Sequence, residues 1–283
     1  MMSRYSHLTT LKQAYKDEKL MLFLGAGIST VLDLPNWSDL IKILAEDCEY
    51  DPKIFNILAD GNALILAEFY YIKHHKKFGN LRTKLDQKWH TQESMDKLRS
   101  SQLHEVLATR NYGLIYTTNY DQWIEKAFEL HGQPYQKITD ILNIGDIKKN
   151  IPQIVKFHGD FTDDNSIVLN ESSYYRRMKF EDPIDVKFKS DLLSHSVLFM
   201  GYSLSDLKIR RILFELNSYW PLEYKSRKPK CYIIVKSHNE IIDTVLEDWG
   251  VIPVTAEELG ITDPDRNIQS TKITSFTGMY SYT

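Results

Sequence analysis

The run Leu20-Met21-Leu22-Phe23-Leu24 restricts the fold of this chain more than any other feature. It is continuously apolar and reads as a strand buried on both faces, the kind found in parallel sheets. Gly25-Ala26-Gly27 follows at once, so the chain turns sharply where the strand ends. Further strand signals fall at 112–117, 153–157, 166–169, 196–200, 230–235 and 251–254. Helical patterns lie between several of them, at 121–130, 171–179, 183–194, 206–219 and 240–249. Strands alternating with helices make βαβ units. The expected fold class is α/β: a Rossmann-like, mostly parallel sheet with helices on both faces.

The region between the first two strands is different. Apolar residues recur at helical spacing from about 38 to 110, with no convincing strand, and this stretch reads as a helical insertion. A short helix is expected over 8–19. The tail at about 263–283 is polar and rich in Ser and Thr, disordered or docked on a partner. The 283 residues are read as a single domain, 1–283, carrying that insertion and that tail.

Composition narrows the function classes. A net charge of -3 supplies no basic field for nucleic acid. The two cysteines, Cys48 and Cys231, make neither a four-thiolate zinc site nor a disulfide framework, so no metal is expected. No apolar run approaches bilayer length and the N-terminus lacks a signal segment, so the expected setting is cytoplasmic, away from membranes.

The strand ends carry the chemistry. Gly25-Ala26-Gly27 lets the backbone turn tightly and approach a dinucleotide pyrophosphate, and Ser29 adds a hydroxyl donor. The dinucleotide fingerprint is incomplete, because Thr30 stands where its third glycine belongs; a ligand-free tight turn is the alternative. Thr117-Thr118-Asn119-Tyr120-Asp121 places small polar residues where open parallel sheets bind ligands, although Asn119 or Asp121 also suits a helix N-cap. His158-Gly159 ends the next apolar strand, where an imidazole works near neutral pH as base or proton relay, or is simply structural. Gly201-Tyr202-Ser203 ends another, with amides for a second phosphate, and Ser205 or Asp206 caps the helix that follows.

In that order, GAGIS, TTNYD, KFHGD and GYSLSD resemble the sirtuin family, over about 20–254. The resemblance is nearer to bacterial sirtuin-like antiphage-defence NADases than to protein deacylases, and Leu34-Pro35-Asn36-Trp37 matches the Pro-x-Trp element of that branch. It implies that Gly25, Ala26 and Gly27 cradle the phosphates of NAD, and that Asn119 lies by the nicotinamide ribose. Asp121 would support that loop, His158 would be the catalytic histidine, and Gly201 and Ser203 would contact the second phosphate. Lys236 and Ser237 fall where sirtuins often touch the adenosine half. Two departures count against acyl-lysine chemistry: the zinc ribbon is missing, with no cysteine between Cys48 and Cys231, and the Asp-Phe-Arg element of deacylases is absent after Pro35. Both fit water as the nucleophile.

The resemblance therefore implies an NAD+ glycohydrolase that releases nicotinamide and ADP-ribose as the effector of an antiphage abortive-infection system. Competing readings are a non-catalytic NAD or ADP-ribose-binding regulatory subunit, a deacylase, and a structural subunit of a nucleic-acid-handling machine. Implied partners are NAD+, further copies of the chain in a homo-oligomer, and a separate sensor such as a HerA-type ATPase or a short Argonaute, since no sensor domain fits within the chain. Direct nucleic-acid binding is not expected.

Overall fold

The computed structural model describes residues 5–34, 37–110, 112–163 and 166–258. Helix α1 (Tyr5–Lys16) leads into β1 (Leu20–Leu24), and the short α2 (Ala26–Thr30) follows directly. Helices α3 (Trp37–Asp47), α4 (Pro52–Leu58), α5 (Ala63–Lys73), α6 (Gly79–Trp89), α7 (Gln92–Arg99) and α8 (Gln102–Thr109) come before β2 (Leu114–Thr117). Next are α9 (Trp123–Leu130), β3 (Gln136–Ile138), α10 (Ile141–Gly145) and β4 (Gln153–Lys156). The chain continues through α11 (Glu171–Arg177), α12 (Pro183–Leu192), β5 (Ser196–Met200), α13 (Leu207–Ser218), β6 (Cys231–Val235), α14 (Glu240–Asp248) and β7 (Val251–Thr255).

All seven strands pair in parallel, in the order β3-β4-β2-β1-β5-β6-β7. The sheet is thus wholly parallel where a mostly parallel one was expected. Strand β1 shows why such a run is apolar throughout. Successive side chains point to opposite faces, and here both faces are dry. Leu22 and Leu24 join a core shared with α3 to α9, while Met21 and Phe23 join a core shared with α12 and α13. A third cluster, around Leu11, Leu20, Tyr232 and Val254, seats α1. The helices begin where short polar side chains accept their first amides: Asp51 from Lys53 and Ile54, Asn62 from Leu64 and Ile65, Asn239 from Ile241 and Ile242.

Two strand expectations need correction. Residues 166–169 join no sheet: the Val168 N–H donates to the His158 carbonyl at 2.9 Å, and Ile167, Val168 and Leu169 are buried under that loop. An apolar run bounded by turns has the signature of a buried strand whether or not a ladder partner exists. Conversely, β3 was not anticipated; three residues, Gln-Lys-Ile, on the sheet edge carry too little pattern. Pro35 and Asn36 of the Pro-x-Trp element, and the tail at 263–283, lie outside the described residues. Among the described residues no helix is long and apolar enough to cross a membrane.

The chain leaves β1 toward β2 and β4, and returns to the other side of β1 with β5. Strand order reverses there, so the carboxyl ends of β1 and β5 border a crevice of the kind in which open α/β sheets bind ligands.

Candidate active site

Register brings four loops to one edge. Leu24 pairs with Thr117 and with Met200, and Thr117 pairs with Lys156. Gly25, Thr118, Phe157 and Gly201 therefore emerge side by side. The β1 and β5 turns touch backbone to backbone: the Gly25 N–H donates to the Met200 carbonyl and the Gly27 N–H to the Gly201 carbonyl, both at 2.9 Å. A Cβ on Gly25 would lie 2.3 Å from the Gly201 oxygen and 2.7 Å from the Tyr202 ring. Gly201 sits at φ +60°, where a Cβ would meet the Ile28 nitrogen at 2.7 Å. Only glycine fits either place. Two amides of the turn, those of Gly25 and Gly27, are thus used within the fold; Ala26 stands exposed at the head of α2.

Asn119 is held on every side that faces protein. Its backbone N–H donates to Thr117 Oγ1 at 3.1 Å, and its side-chain Nδ2 donates to the Gly25 carbonyl at 3.1 Å and to Ser29 Oγ at 2.9 Å. Ser29 passes its own hydrogen to Asp121 Oδ2 at 2.7 Å, and Asp121 Oδ1 accepts the Trp123 N–H at 3.1 Å, heading α9. The amide orientation follows from chemistry. A carbonyl such as that of Gly25 only accepts, so the NH₂ group must face it. Both amide hydrogens are then committed and Oδ1 is left as the acceptor with no bond to the described residues. Ser29, Asn119 and Asp121 are all buried. Beneath them Lys156, wholly buried in β4, bonds the Asp121 carbonyl and lies 3.3 Å from Glu125 Oε1 and 3.5 Å from Asp160 Oδ2. Burial alone disfavours the ammonium, but these carboxylates hold its pKa above the usual 10.5.

His158, also buried, ends the neighbouring strand. Its Nε2 lies 3.0 Å from Asp206 Oδ2, close but bent away from good hydrogen-bond geometry. The Tyr174 ring packs edge-on at 5.6 Å, and its hydroxyl reaches Asp206 Oδ2 at 3.4 Å. Burial pushes the imidazole below its usual 6.5 and outweighs the opposing pull of Asp206, so it is neutral at pH 7. Gly159, at φ +88°, turns the loop so tightly that a Cβ would lie 2.1 Å from the Ser166 carbonyl. Behind the histidine, Arg177 bonds the Phe157 carbonyl and Asp185, and Lys208 reaches the other oxygen of Asp185 at 2.5 Å.

The family model described as the SIR2-like domain matches residues 113–254, half of the chain, spanning three of these loops. The chain belongs to the SIR2-like family. It is 27% identical over 209 residues to Defense-associated sirtuin 2 of Bacillus subtilis, covering 72% of this chain and 20% of that protein. It is 24% identical over 262 residues to NAD(+) hydrolase ThsA of Bacillus cereus (strain MSX-D12), covering 92% and 52%. The corresponding protein of Enterococcus faecium is 28% identical over 225 residues, covering 77% and 44%. The chain thus spans between a fifth and about half of the length of these relatives.

In this SIR2-like site the fold brings Gly25, Gly27, Ser29, Asn119 and Asp121 into one bonded cluster, with Gly201 against it. His158 stands on the adjacent strand end. Ser203 lies in the turn before α13, its Oγ 2.8 Å from Ser205 Oγ. Lys236 and Ser237 are exposed beyond β6. Sequence reasoning missed three contributors: Asp206 toward His158, Tyr174 beside both, and Lys156 under Asp121. A signal existed for two of them. Asp206 was visible as a helix cap, and a cap uses only one carboxylate oxygen. Lys156 interrupts an apolar strand, where a charge requires partners.

Proposed function

We propose that this chain cleaves the nicotinamide–ribose bond of NAD+ by water, releasing nicotinamide, ADP-ribose and a proton. The observation that carries this reading is the Asn119 amide, locked by Gly25 and Ser29 through both its hydrogens so that its oxygen is left to accept, on the strand end beside a buried neutral imidazole. The similarity to the ThsA relatives, which are NAD(+) hydrolases by name, supports the same activity.

In this reading the turns at Gly25, Ala26 and Gly27 and at Gly201 and Ser203 hold the phosphates, so binding energy remote from the ribose positions the reacting carbon. Asn119 Oδ1 accepts a hydrogen bond from the attacking water or a ribose hydroxyl. As the C1′–nitrogen bond breaks and the water oxygen bonds to C1′, the water proton passes to His158, directly or through that hydroxyl. Nicotinamide leaves neutral, with the electron pair of the broken bond. The work of His158 requires an unprotonated imidazole, the form its burial favours.

The biological setting belongs to the proposal too: a cytoplasmic effector of bacterial antiphage defence, working as a homo-oligomer and released by a separate sensor protein. Nicotinamide release from NAD+, measured by chromatography on wild type, Asn119→Ala and His158→Ala, tests the activity. We expect each variant to lose roughly 10²-fold or more. Undiminished cleavage by either variant removes that residue from the mechanism, and retention of NAD+ without turnover in every assembly state selects a binding module instead.

A further inference from the structure

We propose that Asp206 is the positioning residue of this site: its carboxylate holds His158 with the proton on Nε2, so that Nδ1 is the nitrogen that takes the proton in the reaction. The inference rests on the reading of His158 as general base, and it adds which nitrogen acts and what decides it.

A carboxylate is an acceptor only. Of the two imidazole nitrogens, it is Nε2 that faces Asp206 Oδ2 at 3.0 Å, and both side chains are more than nine-tenths buried. A neutral imidazole carries one proton. Placing a nitrogen lone pair against a buried carboxylate would set two electron-rich atoms together without water, so the proton sits on Nε2. The lone pair then resides on Nδ1, which bonds to no group among the described residues. The bent approach is typical of such pairs before substrate settles the site.

The second oxygen of Asp206 shows how the carboxylate is aimed. Oδ1 accepts the Lys208 N–H at 2.8 Å and caps α13, so the rotamer that caps the helix is the one that presents Oδ2 to His158. The head of a helix also favours an anion. Burial, which raises its pKa, is outweighed by His158 and the α13 amides, and the group is held below the usual 3.8. The charges and titratable groups around the imidazole are Asp206 and Lys208 from α13 and Tyr174 and Arg177 from α11. Tyr120 and Tyr202 face Asp206 from the remaining loops. Asp206 is the one acid among them and the one that pulls the imidazole toward protonation.

Nitrogen NMR of the ¹⁵N-histidine-labelled full chain reads the tautomer directly, with His158→Gln supplying the assignment. Asp206→Asn keeps a helix cap of equal quality, so the fold persists while the charge is lost. We expect wild-type His158 to show a protonated Nε2 and a bare Nδ1, and Asp206→Asn or Asp206→Ala to mix the tautomers. In nicotinamide release, Asp206→Asn lowers kcat roughly 10- to 100-fold, as loss of a group that orients a functional side chain does. KM changes little, and the acid limb of kcat/KM moves to lower pH because the group that raised the His158 pKa is gone. A wild-type Nδ1–H tautomer, or an unaltered tautomer and acid limb in Asp206→Asn, overturns the proposal. If wild type shows the Nε2–H tautomer and no turnover, the hydrolase reading fails while the orienting role of Asp206 stands.

Discussion

Asn119 is legible in the sequence only as a small polar residue past a strand end. What it presents to a ligand depends on Ser29, 90 residues away, and on the Gly25 carbonyl, 94 residues away. Ser29 was expected as a hydroxyl donor to a phosphate; in the fold its hydrogen goes to Asp121 and its lone pair receives the Asn119 amide. Ser29→Ala leaves an amide hydrogen and a carboxylate oxygen buried without partners. We expect it to cost about 1–3 kcal/mol of stability and to lower turnover by about tenfold or more, since a misorientation near 1 Å at a reacting centre is that damaging. Urea unfolding and nicotinamide release on the same preparation check both; a variant as stable and as active as wild type would show that the relay orients nothing.

At the scale of elements, the site depends on two strand-end turns packing closer than side chains permit. The glycine turn after β1 was visible in sequence as a phosphate loop. That its amides bond the carbonyls of Met200 and Gly201 was not, because it follows from β5 lying next to β1. Gly25→Ala drives a methyl group into the Gly201 carbonyl and the Tyr202 ring. We expect about 3 kcal/mol or more of destabilisation, beyond the ordinary overpacking range since the obstacle is backbone. Gly113→Ala, with open space around the added methyl, is the control and is expected to unfold as wild type does. Circular-dichroism melts of the two decide; equal melting temperatures would mean the turns are not in contact. The same dependence on neighbours explains 166–169 and β3. Whether a segment is a strand is settled by the presence of a partner edge, and local pattern reports burial alone.

For the whole molecule, the two dry faces of the sheet make stability sensitive to acid. His104 of α8 is buried with Nδ1 against Ser101 Oγ at 2.8 Å and Nε2 without a partner among the described residues, and burial draws its pKa from 6.5 to about 4. The direction at His158 is the same. A histidine whose folded pKa is depressed binds its proton more readily in the unfolded chain, so stability is whole above about pH 6.5 and drains as pH falls toward 4. His104 alone accounts for up to about 3 kcal/mol over that window. Asp160 and Asp206, held below 3.8, add losses only at still lower pH. Urea titrations between pH 7.5 and 4.5 (about the range in which these imidazoles change charge) should show this decline, and His104→Gln should flatten it. A pH-independent midpoint in wild type would contradict the burial of these imidazoles.

What the chain dictates by itself is set by local physics. Continuous apolar runs demand a sheet covered on both faces, glycines and small polar residues mark the strand ends, and capping residues start the helices. These sufficed for the α/β class, the helical stretch at 38–110 and the four candidate loops, since burial and backbone hydrogen bonding are read over a few neighbouring residues. Tertiary structure alone decided the order β3-β4-β2-β1-β5-β6-β7, and with it which loops meet. The amide of Asn119 is oriented by β1's turn, the imidazole of His158 meets the residue that caps α13, and Lys156 is admitted to the core by Glu125 and Asp160. Side-chain orientation is a property of partners, and partners far apart in sequence are assigned only when the crossovers close.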